Sequence, residues 1–220
     1  MENQSKQYQA LSLKGEFFRK IIHISSSIIP IGYYFLNKEI VLSILIPILV
    51  LMLIFEILKY KYDFVYDLYL KWFKIMLRDH ELRRGKVRIN GASWLLLADV
   101  LCIIIFPKLI AITGMLLLSL SDSFSAIFGR IFGKKQFVPN RSFAGSLAFF
   151  MVGIIIAFIT PKYFYISKEY LLYAAVVFIT TIVDTLNLPV DDNFAIPIVS
   201  SSLLYILYII FFPDFQFNLF

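Results

Sequence analysis

The chain alternates long apolar runs with short charged segments, and that rhythm predicts its elements. Apolar runs lie near residues 21–36, 40–58, 92–106, 109–128, 143–160, 170–186 and 194–211. Each approaches the roughly 20 residues that a helix needs to cross a hydrocarbon layer of about 30 Å. The first and third are short, which predicts tilt or extension into their polar flanks. The runs lack the strict alternation of barrel strands, and helices satisfy their own backbone in lipid. The expected fold is therefore all-α: a polytopic membrane protein with about seven transmembrane helices. One further segment, 59–78, is not a span. Asp63, Asp67, Lys71, Lys74 and Arg78 recur every three or four residues and form one stripe, with Phe64, Leu68, Trp72, Ile75 and Met76 opposite. This pattern predicts an amphipathic helix lying in the interface, which either anchors the bundle or helps to admit lipid.

Composition agrees with that class. Hydrophobic residues make up 60% of the chain and charged residues 16%, with a mean hydropathy of +0.79. The 220 residues leave no room for a separate globular domain beside the spans, so residues 1–220 read as one membrane domain. The single cysteine, Cys102, excludes an internal disulfide and argues against a thiolate metal site. Charges among the first 20 residues predict no cleavable signal peptide, leaving the first span as the targeting signal.

Charge distribution then orients the bundle. With the N-terminus cytoplasmic, seventeen of the 21 Lys and Arg fall on the inner side, and only Lys38, Lys108, Lys162 and Lys168 fall outside. Cytoplasmic segments retain positive charge, so the expectation is N-terminus in, C-terminus out, with residues 59–90 as a cytoplasmic interfacial helix and basic loop. The membrane would be the cell membrane in a prokaryote or the endoplasmic reticulum in a eukaryote. Nothing in the pattern points to nucleic acid as a partner, and self-association is left open.

The stretch 121–146 concentrates the chemistry. Asp122, Gly129 and Gly133 are spaced by seven and four, which places them on one helical face. A glycine strip lets a ligand approach the backbone, and Arg130, Lys134, Lys135 and Arg141 would offset polyphosphate charge. Ser142 to Gly145 opens the next span, where a helix N-terminus favours an anion. The same strip, with Ser125, also reads as a small-xxx-small face for helix packing. Asp122 shifts the balance toward a site, because an ionised carboxylate at that depth costs roughly 2.5–3.5 kcal/mol and needs a partner. A Mg²⁺ ion bridged to phosphates is one suitable partner. Asp184, Asp191, Asp192 and Asn193 form a second group of oxygen ligands, suited to a hard cation or to capping the last helix. Arg78, His80, Glu81, Arg83 and Arg84, followed by Gly91 to Trp94, make a basic loop and helix start, while Glu56 and Asp99 lie within spans without an assigned role.

These pieces resemble the CTP-dependent polyprenol and diacylglycerol kinases, the family of dolichol kinase, phytol kinase and the yeast-type diacylglycerol kinase. The carriers are Arg19, Lys20 and His23; Arg78, His80 and Glu81; Gly91 to Trp94; Asp122, Gly129, Gly133 and Lys134; Ser142 and Gly145; and Asp191, Asp192, Asn193 and Pro197. The resemblance implies CTP as phosphoryl donor, a divalent cation such as Mg²⁺, and a long-chain lipid alcohol as acceptor. It implies metal at Asp122 and Asp192, with Asp184 or Asp191 as base. Nucleotide would meet Gly129, Arg130, Gly133, Lys134, Arg141, Ser142, Gly145, Asn193 and His80. One departure is Ala144, where the family usually carries a glutamate; a milder one is Asp184, also in place of glutamate. The related CDP-diacylglycerol synthases share part of this pattern, so cytidylyl transfer is the nearest alternative, but their C-terminal signature is absent. A membrane transporter or an inactive scaffold are the alternatives from other classes.

Overall fold

A computed structural model describes residues 13–74, 89–133, 136–138, 141–186 and 188–217. The described residues are overwhelmingly helical. Elements α1 (Leu13–Ser25), α2 (Ile28–Phe35), α3 (Lys38–Lys61) and α4 (Asp63–Phe73) precede the basic segment 75–88 in the chain, and α5 (Gly91–Ile105) follows it. Next come α6 (Lys108–Leu116), a π-helical turn (Leu117–Asp122) and α7 (Ser123–Phe132), which run on as one helix, Lys108–Phe132. Two short strands, β1 (Gln136–Val138) and β2 (Arg141–Ser142), pair antiparallel, and α8 (Phe143–Ile159), α9 (Ser167–Thr185) and α10 (Asp192–Phe211) complete the order. The hairpin was not expected from an all-helical reading.

Helices occupy all seven apolar runs. Three of them, Lys38–Lys61, Lys108–Phe132 and Asp192–Phe211, are long and apolar enough to cross a membrane, and Gly91–Ile105 and Phe143–Ile159 are shorter apolar helices. The first run is broken. Ser26 and Ser27 donate their hydroxyls to the carbonyls of His23 and Ile24, and Pro30 cannot supply a backbone donor to continue the ladder. Pro30 is instead accommodated in the first turn of α2. The segment expected to lie in the interface is a separate helix, α4, set off from α3 at Tyr62. It buries Tyr69 against Phe55 and Lys59 of α3 and leaves Phe64, Leu68 and Trp72 exposed. Its continuation through Ile75, Met76 and Arg78 lies outside the described residues.

The helix Lys108–Phe132 is the hub, with Ile110 to Ser119 buried throughout. At Gly114 an added Cβ would come within 2.1 Å of Ser201 Oγ and 2.8 Å of the Pro197 carbonyl, so α10 lies directly against α6. Contacts at the helix ends fix the polarity of the bundle. Lys38 and Lys108 donate to the carbonyls of Ile104 and Leu36, gathering the ends of α2 and α5 with the starts of α3 and α6. Lys168 at the start of α9 donates to the Phe211 carbonyl at the end of α10. Asn193, at the start of α10, donates to the Gly91 carbonyl at the start of α5. The two ends of the bundle thus carry different sets of polar residues.

Candidate functional site

Asp122 closes the π-helical turn. Ser119 and Ser123 donate their hydroxyls back to the Met115 and Ser119 carbonyls, and such back-bonding competes with the regular helical ladder. The widened turn delivers Asp122 to α1. There Lys20, only 2% exposed, donates to Asp122 Oδ2 at 2.5 Å, and His23 Nδ1 lies 3.8 Å from the same oxygen. Ser26 bonds Ser119 at 3.1 Å, which fastens the end of α1 to the turn that carries Asp122. One turn earlier on α1, Glu16 pairs with Arg19 at 3.5 Å and Arg130 at 3.8 Å.

The glycines face a different neighbour. A Cβ on Gly129 would lie 3.1 Å from Ser142 Oγ, and one on Gly133 would collide with the Gly129 carbonyl at 2.0 Å and Ser142 Oγ at 2.4 Å. A Cβ on Gly145 would meet the Ser125 carbonyl at 2.9 Å. The strip is therefore filled by the first turn of α8, which is the helix-packing use of such a face. Ser142 is the N-cap of α8: its hydroxyl accepts from the Gly145 N–H at 3.2 Å and donates to the Gly129 carbonyl. Close packing here fixes the residue just before the cap, Arg141.

Arg141 joins three elements. Its guanidinium lies 3.1 Å from Asp184 Oδ1, at the end of α9, and donates to Asp192 Oδ2 at 2.7 Å, at the start of α10. Burial alone would lower its basicity, but Asp184, Asp192 and, at longer range, Asp122 outweigh that and hold the guanidinium above its ordinary value. Asp191 caps α10 by accepting from the Asn193 N–H at 3.0 Å, and Asn193 itself reaches α5 through Gly91. Trp94 packs edge-on against Phe194 beside that contact. Beyond Arg141, an apolar groove of about 290 Å³ runs between α8 and α9, lined by Phe143, Ser146, Thr181, Ile182 and Thr185.

The predicted residues Asp122, Arg130, Arg141, Ser142, Gly129, Gly133, Gly145, Asp184, Asp191, Asp192 and Asn193 thus gather at one end of the bundle. Lys134 and His80 lie outside the described residues. Sequence reasoning assigned no site role to Lys20 or Glu16, although Lys20 and His23, three apart on one face, signal a polar stripe at the head of an apolar run. Glu56 also gains a place. It pairs with Lys59 and accepts from the Asn90 N–H at 3.3 Å and the Ser93 hydroxyl at 3.4 Å, tying α3 to the start of α5. Asp99 is fully buried and neither carboxylate oxygen has a hydrogen-bond partner among the described residues.

A protein described as CTP-dependent diacylglycerol kinase 1 from Saccharomyces cerevisiae is 28% identical over 214 residues, covering 86% of this chain and 72% of that protein. The protein of the same description from Eremothecium gossypii is 25% identical over 215 residues, covering 86% of this chain and 66% of its own length. The chain is thus similar, at 25–28% identity, to proteins described as CTP-dependent diacylglycerol kinases. This bears out the family resemblance carried by the motifs. An uncharacterised protein of Rickettsia prowazekii is also 28% identical, over 182 residues that cover 82% of this chain and 88% of that protein. No protein-family model and no solved structure matches the chain.

The carboxylates gathered here are of the kind that the divalent cation expected from the motif resemblance would use. Asp122, Asp184 and Asp192 bring three carboxylates to this end of the bundle, each paired with Lys20 or Arg141, and Mg²⁺ typically takes one or two carboxylates together with substrate phosphates. Among the described residues no group of three or more His, Cys, Asp or Glu is placed to hold a metal by itself.

Proposed function

We propose that this protein is a membrane lipid kinase that transfers the terminal phosphoryl group of CTP to a lipid alcohol at the cytoplasmic face. The observation that carries the reading is Arg141, which links the α7–α8 glycine contact to the Asp184 and Asp192 carboxylates within 3.1 Å. Diacylglycerol is the acceptor suggested by the relatives' printed names; polyprenols and phytol-type alcohols are the other members of the class. The seven apolar runs cross the membrane in this reading, with the N-terminus cytoplasmic, the C-terminus opposite and α4 in the interface.

Asp122 and Asp192 would hold Mg²⁺, whose charge would stabilise the phosphates as the transferring group moves. Arg141 and Arg130 neutralise phosphate charge, and Gly129, Gly133, Ser142 and Gly145 act by docking the start of α8 beside it. Lys134 and His80 join the nucleotide contacts on sequence position alone, and Asn193 does so from the α10 turn. The lipid enters along the groove between α8 and α9, where Thr181 and Thr185 flank Asp184 on the helix. The acceptor oxygen forms a bond to the γ-phosphorus as the bond to the β–γ bridging oxygen breaks, releasing CDP. The hydroxyl proton passes to a carboxylate. Asp184 suits this better than Asp191, whose side chain already caps α10.

The test is mass spectrometry of lipids after the purified protein is supplied with CTP, Mg²⁺ and diacylglycerol-containing vesicles. The expected products are phosphatidate and CDP, with formation falling at least about 100-fold in Asp122→Asn, the scale set by loss of one charge-stabilising group. A cytidylylated lipid with pyrophosphate would establish the synthase alternative, and no lipid product with CTP would overturn the kinase reading.

A further inference from the structure

Lys20 is one of the largest fully buried side chains described, and buried lysines are rare unless paired. Its hydrogen bond goes to Asp122 at 2.5 Å, itself 4% exposed. A buried ion pair is weak evidence for stability, since desolvating both charges offsets most of their attraction. The pair therefore needs another reason to exist, and its surroundings suggest one.

Asp122, Asp184 and Asp192 are paired with Lys20 and Arg141, and Glu16, Arg19 and Arg130 form a second ion-pair group beside them. A divalent cation arriving at these carboxylates competes with the cation already resident on the one it binds. Arg141 is held by two carboxylates, at 3.1 and 2.7 Å, whereas the hydrogen bond of Lys20 goes to one. Lys20 is thus the cation that leaves. Its four-carbon stem lets the ammonium change partner by bond rotation, which the planar, bridged guanidinium of Arg141 does not allow. The backbone can stay fixed meanwhile, because Ser26 and Ser119 fasten α1 to the π-helical turn.

On these grounds, and resting on the CTP-kinase reading above, we propose that Lys20 is a phosphate-binding residue held in reserve. In the nucleotide-free protein its ammonium neutralises Asp122. When CTP and a divalent cation bind, the cation takes the Asp122 carboxylate and Lys20 passes to the triphosphate. The N-terminal helix thereby becomes part of the nucleotide site and reports its occupancy.

Equilibrium binding of CTP and of cytidine to the full chain in lipid nanodiscs, with Mg²⁺ or with EDTA, tests this. Lys20→Met should weaken CTP binding in Mg²⁺ about tenfold or more, the worth of one charge-assisted hydrogen bond, and leave cytidine binding within about twofold. Asp122→Asn should bind CTP in EDTA about tenfold more tightly than the unaltered protein does in EDTA, because Lys20 is released. The double variant Lys20→Met/Asp122→Asn, which carries no unpaired charge, should lose that gain. A purely structural pair predicts instead that Asp122→Asn gives no gain in EDTA and that the double variant binds CTP like the unaltered protein; either result overturns the proposal. Failure of the unaltered protein to bind CTP in any condition would instead remove the kinase reading itself.

Discussion

Arg141 is the side chain through which α8, α9 and α10 meet, and its removal strands two carboxylates that share it. Arg141→Met should lower stability by about 2–3 kcal/mol, less than a fully buried pair because Asp192 is a third exposed. It should also abolish CTP-dependent lipid phosphorylation, while Arg141→Lys, unable to bridge both carboxylates, should retain the fold with most activity lost. Thermal unfolding in detergent and the lipid product assay read these two effects separately. Asp122, Arg141, Asp184 and Asp192 were legible in the sequence because charges are conspicuous between apolar runs. Lys20 was picked out only as a carrier of the family resemblance, without a site role, since a lysine at the head of a span reads first as an ordinary cytoplasmic cation. Only its burial, against a carboxylate 102 positions away, sets it apart.

At the scale of elements, the contact between α7 and α8 depends on side chains that are missing. Gly133→Ala should cost upward of about 2 kcal/mol, the range of a strained or overpacked position, because the new methyl meets backbone and the Ser142 cap. Gly32→Ala is the control: nothing lies within 4 Å of its Cβ, so helix propensity should leave it neutral or raise stability by up to about 1 kcal/mol. Unfolding of both variants in denaturant gives the comparison. The apolar runs predicted helices in the right places, since periodicity and length carry that information. The break between α1 and α2, the π-helical turn and the β1–β2 hairpin were not legible. Each depends on local side-chain to backbone hydrogen bonds or on strand pairing across a short connection, which hydropathy does not record.

Across the whole molecule, the two ends differ in chemistry. Far from the site, Glu169 accepts from the N–H groups of Tyr163, Phe164 and Tyr165 and from the Tyr208 hydroxyl. Tyr165 adopts a positive φ of 56°, a costly conformation for a bulky residue that this clamp maintains. Lys162, in the same connection, donates to the Thr160 carbonyl and lies 3.9 Å over the Tyr173 ring. Burial lowers its pKa to about 8, with Glu169 opposing. The unfolded chain, with a lysine near about 10.4, then binds more protons across roughly pH 8 to 10, so stability rises with pH in that window. Melting temperatures at pH 7.5 and 9.5 should show this gain, and Lys162→Met should lack it. That the candidate residues would share one end was legible from the positive charges. That the glycine face would meet α8, leaving Asp122 to α1, depended on packing.

Thermal stabilisation by CTP with Mg²⁺ in nanodiscs tests most directly the proposed CTP site at the end bearing Arg141. CTP should raise the melting temperature of the unaltered protein and of Lys162→Met, ATP should not, and Arg141→Met should lose the shift. An equal CTP shift in Arg141→Met, or its loss in Lys162→Met alone, would contradict the placement of the site.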